Sequence, residues 1–410
     1  MSRAKYVEKR HTFARIQRLL VGNSWEEFTI LSVFAALLFG GVFIYMGTFS
    51  QLIYLSQVFP DKIKSFQAIN CWSSTVVPLS KFIFMFTSSS RLRKIMELSR
   101  EGLTAVSEHS SAHKQMLAIL RKAHMVSWLV ILNQCFTHFV YLILPVFFTI
   151  LSNDRYLPTT PGDIYGIFSK YESPYYEISF TLTIIATLFS VINQTGYIVL
   201  FVVLLAHELG HFYAICEILN EIHGIVYNEG ANSDPIKNNS HNEEKESLQL
   251  MTTEHSMTEI QKQKKIQELL VFCVKHHQFI MRFHAKIGDL YKVIFGAHFL
   301  IMVIVLVTTL QTMNSWGLIN TALTGLTAVM PLVVYCFGGE MLISSSLAMA
   351  DAVYACGWEG MRVKQARIVL LILCVAQHPL YYTAAGIFIM NRETFGDVAQ
   401  VVYKIYAVFK

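Results

Sequence analysis

An all-α membrane protein with seven transmembrane helices, its N-terminus cytoplasmic and its C-terminus extracellular, is the fold class this sequence predicts. Hydrophobic residues make up 53% of the 410 and charged residues 15%, well under the roughly 25% charge of a soluble domain. Seven apolar runs, at 29–55, 66–88, 125–151, 179–206, 293–313, 318–348 and 381–409, reach the length of about twenty residues that a helix needs to cross a bilayer. Lys and Arg divide unevenly: 25 fall in the N-terminal segment and the even-numbered connections, 4 in the odd-numbered connections. Positive charge stays cytoplasmic, which sets the orientation.

Residues 1–28 form a cytoplasmic segment with six basic residues and no signal-peptide pattern, so the first span is expected to act as an uncleaved anchor. Spans one to six and their connections occupy 29–351. Within them, 91–124 and 258–286 read as helices continuing from the spans into the cytoplasm, where they would pack as a helical domain. The outer connection 152–177 alternates Pro and Gly with Tyr156, Tyr165, Tyr171, Tyr175 and Tyr176, the composition of an ordered aromatic lid. By contrast, 228–256 is rich in Asn, Ser and Glu and reads as a flexible loop.

The last thirty residues are apolar, yet Glu393, Asp397, Gln400 and Lys404 recur in steps of four, three and four. That spacing places them on one face of a helix. Charge facing lipid is costly, so such a stripe faces a bundle interior or a water-filled path. It fits a pore wall, or helix-to-helix hydrogen bonding without conduction.

The seven cysteines avoid the predicted outer loops and contain no CxxC pair, so neither a structural disulfide nor a metal centre is expected. No Gly-rich phosphate loop or Arg-rich patch occurs, and the net charge of +5 reflects inner-surface basic residues, with no nucleic-acid partner implied. Two short motifs point elsewhere. His207, Glu208 and His211 spell HExxH, the pattern of a zinc protease, but where span four leaves the membrane and without a recognisable third ligand. Asp154–Arg155–Tyr156 and Pro379–Tyr382 echo motifs of G-protein-coupled receptors, but the charge count puts the first on the outer face and the second at the wrong end of its span. A receptor of that conventional orientation and an intramembrane metalloprotease are the alternatives to a non-enzymatic channel subunit that needs no cofactor.

The C-terminal third carries a more specific pattern. Tyr335, Cys336, Phe337, Gly338, Gly339 and Glu340, then Ser344–Leu347, Asp351–Tyr354 and Trp358, resemble the sixth-helix signature of insect odorant receptors. The likeness continues through Ala376–Pro379, Ala384–Gly386, Thr394, Phe395, Tyr403 and Tyr406. This resemblance implies a subunit of an odorant-gated, non-selective cation channel in the plasma membrane of an olfactory sensory neuron. Four subunits surround one pore, as a heterotetramer with a shared co-receptor or as a homotetramer. It also implies a cytoplasmic anchor helix region at 352–379 and a pore-lining helix at 380–410, broken around His378 and Pro379. Proline gives that break its physical cause.

By the same resemblance Val398, Gln400 and Val401 occupy the gate, an apolar ring that closes by dewetting, with Glu393 and Asp397 favouring cations. Val398 and Val401 packing between helices is the plainer reading. Small volatile ligands are expected in the outer half of the bundle, between spans two, three, four and six. The facing residues there are Trp72, Val76, Phe139, Tyr141, Phe180, Ile184 and Thr324, an apolar box with few hydrogen-bonding groups.

Overall fold

The structure, a computed structural model, describes residues 38–152, 154–157, 164–167, 171–227 and 259–409. The N-terminal segment, the start of the first span, much of the lid and the loop 228–256 lie outside the described residues. Elements in chain order are α1 (Leu38–Val58), α2 (Lys62–Thr87), α3 (Ser89–Val106), α4 (Ser110–Ser152), α5 (Tyr175–Tyr227), α6 (Glu259–Gln311), α7 (Met313–Tyr354) and α8 (Val363–Ala376). A two-stranded hairpin, β1 (Thr383–Ala384) and β2 (Phe388–Ile389), precedes the last helix, α9 (Arg392–Phe409). This is an all-α membrane protein: the apolar runs 66–88, 125–151, 179–206, 293–313 and 318–348 fall chiefly on α2, α4, α5, α6 and α7, and the described part of the first run falls on α1.

Five of these helices, α1, α4, α5, α6 and α7, are long and apolar enough to cross a membrane. Their positions follow from their faces. From Gln194 to Ala206 every residue of α5 is buried, as suits a helix that is apolar all round and sits at the centre of a bundle. On α4, Leu129, Phe136 and Phe139 are each about 60% exposed, an outward face suited to lipid. The segments 91–124 and 258–286, expected to be helical, fall on α3, the first turns of α4 and the first half of α6.

Local chemistry sets the boundaries. Asp61 caps α2 by accepting from the Ile63 and Lys64 amides at 3.1 and 3.2 Å. The break between α6 and α7 is Thr312 alone, and the kink of α7 is at Gly317, whose φ of 74° suits glycine. The Gln365 carboxamide accepts from the Arg362 amide at 3.2 Å and starts α8. Asn391 does the same for α9, accepting from the Thr394 amide at 2.9 Å.

One sequence expectation is corrected here. The run from 380 to 409 is not a single helix, because Ala385 and Gly386 take positive φ of 55° and 77° and turn the chain into a hairpin. The register pairs Thr383 with Ile389 and Ala384 with Phe388, which leaves Ala385, Gly386 and Ile387 as a three-residue loop, closed by the Ile387 amide donating to the Ala384 carbonyl at 3.1 Å. Non-helical backbone at membrane depth is tolerated when protein covers it. Tyr382, Ala384 and Met390 are at most 1% exposed, and the Ala385 amide donates to the Lys292 carbonyl at 2.9 Å. A Cβ at Gly339 would collide with the Met390 carbonyl, so only glycine lets α7 pass there.

Candidate functional site

Three parts of the bundle carry polar groups that packing alone does not explain: a cavity, a buried carboxylate clamp and the outward face of α9. The cavity, about 220 Å³, lies among α1, α2, α4, α5 and α7. Of the residues expected to line it, Tyr141 and Thr324 do. Trp72, Val76, Phe180 and Ile184 are half-buried outside its lining, and Phe139 points outward, 61% exposed. The lining is instead Phe43, Gln51, Asn70, Ser74, Thr75, Thr137, His138, Thr183, Thr187, Ser190, Trp316, Thr327 and a few neighbours.

This wall is more polar than the expected apolar box, but most of its donors are spent. Thr137, Thr183, Thr324 and Thr327 donate to carbonyls three or four residues back on their own helices, at 2.8 to 2.9 Å. Asn70 Nδ2 donates to the Val305 carbonyl and to the Thr308 and Thr309 hydroxyls at 2.8 to 3.0 Å. The cavity therefore meets threonine methyl groups and oxygen lone pairs. Gln51 Oε1 and Ser74 Oγ line it with no hydrogen-bond partner among the described residues. A ligand gains most there by filling volume and making one or two hydrogen bonds.

The Glu of HExxH is engaged by protein groups from two other elements. Glu208 is 0% exposed on α5. Its Oε1 faces His284 Nδ1 of α6 at 2.7 Å, and its Oε2 accepts from the Tyr382 hydroxyl of the hairpin. His211, one turn on, pairs with His276 of α6 at 2.9 Å. The motif's residues thus tie α5 to α6 and to the segment that begins the last helix. Among the described residues no three metal-ligating side chains converge. Pro379–Tyr382 belongs to the same clamp, while Arg155 donates to the Tyr171 carbonyl at 3.1 Å and stacks on Tyr176, stitching the lid.

On α9 the structure divides the expected gate residues. Glu393, Asp397, Gln400, Val401 and Lys404 are all exposed and share one face. Val398 turns the other way and packs on the core with Phe395 and the nearly buried Val402. Phe395 meets Phe337 of α7 edge-on at 5.9 Å, and Gln311 of α6 donates to the Tyr406 carbonyl at 3.0 Å. α6 and α7 thus hold the apolar face of α9 and leave its charged stripe exposed, with no ion-pair partner among the described residues. A similar exposed stripe runs along α8, where Val363, Leu370, Leu371 and Val375 are 47 to 69% exposed.

Sequence reasoning passed over Gln51, Asn70 and His138, and met Glu208 and Tyr382 only in motifs that point elsewhere. The available signal was polarity inside an apolar span, which is costly unless the group faces the bundle interior.

The sequence profile of the 7tm odorant receptor family matches residues 63–403. Odorant receptor 10a of Drosophila melanogaster is 31% identical over 128 residues, which are 30% of this chain and 31% of that protein. Odorant receptor 49a of the same fly is 22% identical over 148 residues, 35% of this chain and 37% of that one. The chain thus spans about a third of the length of the curated relatives it matches. The insect olfactory receptor OR5 from Machilis hrabei superposes with a TM-score of 0.71 at 14% identity, over 98% of each chain. Its complex with eugenol gives 0.68 at 13%, over 98% of this chain and 90% of that one. At such identity the likeness speaks for the fold.

Proposed function

Because the chain belongs to the 7tm odorant receptor family, we propose that it is a subunit of an odorant-gated, non-selective cation channel. The observation that carries this reading is the charged face of α9, held outward by α6 and α7 with no ion-pair partner among the described residues. Around a symmetry axis, four such faces make a water-filled wall in which Glu393 and Asp397 attract cations. Val401 and Gln400 form its constriction, which closes by dewetting. The N-terminus is cytoplasmic and the C-terminus extracellular, so the cavity lies in the outer half of the plasma membrane and α8 on the cytoplasmic side.

The cavity takes a small volatile molecule. OR5 was solved with eugenol, and a ligand of that kind suits a small chamber walled by methyl groups and oxygen lone pairs. A ligand opens the channel only by the preference it has for the open form. That preference reaches the pore through α5, α6 and α7, which line or flank the cavity and also grip the hairpin at Tyr382, Ala385 and Met390.

Assembly follows from α8. A helix exposing Val363, Leu370, Leu371 and Val375 in one stripe needs a partner, here the same helix of neighbouring subunits: an odorant receptor co-receptor, or further copies of this chain. Leu371→Glu puts a carboxylate into that contact. The tetramer band in cross-linking or native gels is expected to be lost, with monomer still present in the membrane.

Whole-cell current from cells expressing the chain with and without an insect odorant co-receptor tests the reading under volatile esters, alcohols, phenols and terpenes. A ligand-dependent cation current that survives G-protein blockade supports it; a signal that requires a G protein overturns the orientation and the pore. In the same cells, Thr187→Phe fills the cavity. The concentration for half response is expected to rise at least about tenfold, the loss that 1.4 kcal/mol of binding brings. Surface expression should stay the same.

A further inference from the structure

Beneath the cavity lies a second polar cluster that its lining does not include. Lys81 of α2 is 0% exposed, as are Tyr291 of α6 and Tyr335 of α7; Tyr197 of α5 is 1% and His298 of α6 3% exposed. The Lys81 Nζ, the three phenol oxygens and His298 Nε2 all lack a hydrogen-bond partner among the described residues. The groups are neighbours: Lys81 Nζ stands 5.3 Å over the Tyr197 ring. Tyr197 lies 5.3 Å from Tyr291 and 6.4 Å from Tyr335, and His298 lies 5.4 Å from Tyr335, between ring centroids.

Helix geometry joins this cluster to the cavity. On α2 the cavity residue Ser74 precedes Lys81 by seven residues, and on α5 Ser190 precedes Tyr197 by the same interval. Two turns rise about 10.5 Å, and side chains in a helix lean toward its N-terminus, here toward the cavity. The lysine stem therefore lifts its ammonium toward the cavity floor.

A buried ammonium needs a counter-charge and hydrogen bonds, and stacking over one ring supplies only part of the need. Among the described residues no carboxylate forms an ion pair with Lys81. A cation over one tyrosine ring, joined through ring contacts to two more tyrosines and a histidine whose polar atoms lack a partner among the described residues, has the chemistry of an anion site. We propose that Lys81, Tyr197, Tyr291, His298 and Tyr335 bind one compact monovalent anion, either chloride or the carboxylate of a ligand whose tail fills the cavity above. The carboxylate form rests on the ligand reading of the cavity; the chloride form does not.

The test is thermal unfolding of the purified full-length receptor in lipid nanodiscs, for the wild type, Lys81→Gln and Lys81→Arg. Each is titrated with sodium chloride against sodium isethionate, and with nonanoate against nonanol. If chloride is the occupant, it raises the unfolding midpoint saturably in the wild type and Lys81→Arg, at concentrations at least tenfold below any effect on Lys81→Gln, while nonanoate and nonanol act alike. If a ligand carboxylate is the occupant, nonanoate stabilises the wild type at least tenfold more tightly than nonanol, and Lys81→Gln abolishes that ratio while still responding to nonanol. The proposal is overturned if neither anion separates the wild type from Lys81→Gln while nonanol stabilises both. Nonanol stabilising neither protein would count against the cavity reading, and the chloride titration would still decide the anion site.

Discussion

Glu208→Ala is expected to cost about 3 kcal/mol or more of stability, because it removes the shared acceptor of two hydrogen bonds to a buried carboxylate, each worth about 1.5–3 kcal/mol, and with it the ligand-gated current. The carboxylate is fully buried and takes one contact from His284 of α6 and one from Tyr382 of the hairpin. Its loss strands both partners and leaves the hairpin segment tied to α5 only by packing, such as that of Tyr382 on Phe201 at 5.8 Å between ring centroids. Glu208→Gln keeps the shape and one acceptor oxygen, so it should lose about 1–3 kcal/mol and leave an expressed channel. Tyr382→Phe breaks only the bond to the hairpin. If the clamp transmits the ligand signal, Tyr382→Phe lowers maximal current with little change in thermal midpoint, whereas a purely structural clamp lowers both in proportion. Measuring the two quantities on the same three variants separates these outcomes.

This clamp also shows why HExxH misleads in a membrane chain. A His and a Glu one turn apart on a central helix are polar groups that must be satisfied inside the bundle. Here α6 answers both, with His276 for His211 and His284 for Glu208. A zinc site demands the same two residues on the same face, so spacing alone does not distinguish the two arrangements.

The helices were legible because length and hydropathy decide them, and the polar stripe of α9 because its steps of three and four survive in any packing. The hairpin was not legible. Residues 380–390 are apolar, and a short apolar run has no period that separates strand from helix; only Gly386 hinted at the turn. The cavity was half legible for a related reason. Sequence reasoning looked for large apolar residues, and found Trp72, Val76, Phe139, Phe180 and Ile184. In a membrane bundle the hydrophobic outside is lipid, and the close-packed inside favours small and polar residues. The lining accordingly falls at Asn70, Ser74, Thr137, Thr183 and Thr187, one or more positions out of phase with the large ones. Tyr141 and Thr324 were found because each is polar as well as facing inward.

The gate offers the sharpest separation, because sequence reasoning treated two valines alike and the structure parts them. Val401 is 44% exposed on the face with Asp397 and Lys404, whereas Val398 packs on the core beside Phe395. Val401→Ser replaces a dewetting surface with one that holds water. In the assembled channel it should pass cation current without ligand, at unchanged surface expression. Val398→Ser instead places a hydroxyl among apolar neighbours, which costs about 1–3 kcal/mol when no partner is available. It should lower the thermal midpoint and the amount of receptor at the surface, with no leak from the receptors that remain. Recordings of basal current normalised to surface receptor settle the matter. A leak from Val398→Ser and none from Val401→Ser would mean that α9 is rotated in the assembled channel by roughly a third of a turn from its place in the single subunit, the angle at 3.6 residues per turn between Val398 and the middle of the charged stripe, and that stripe would then face the neighbouring helices instead of the pore.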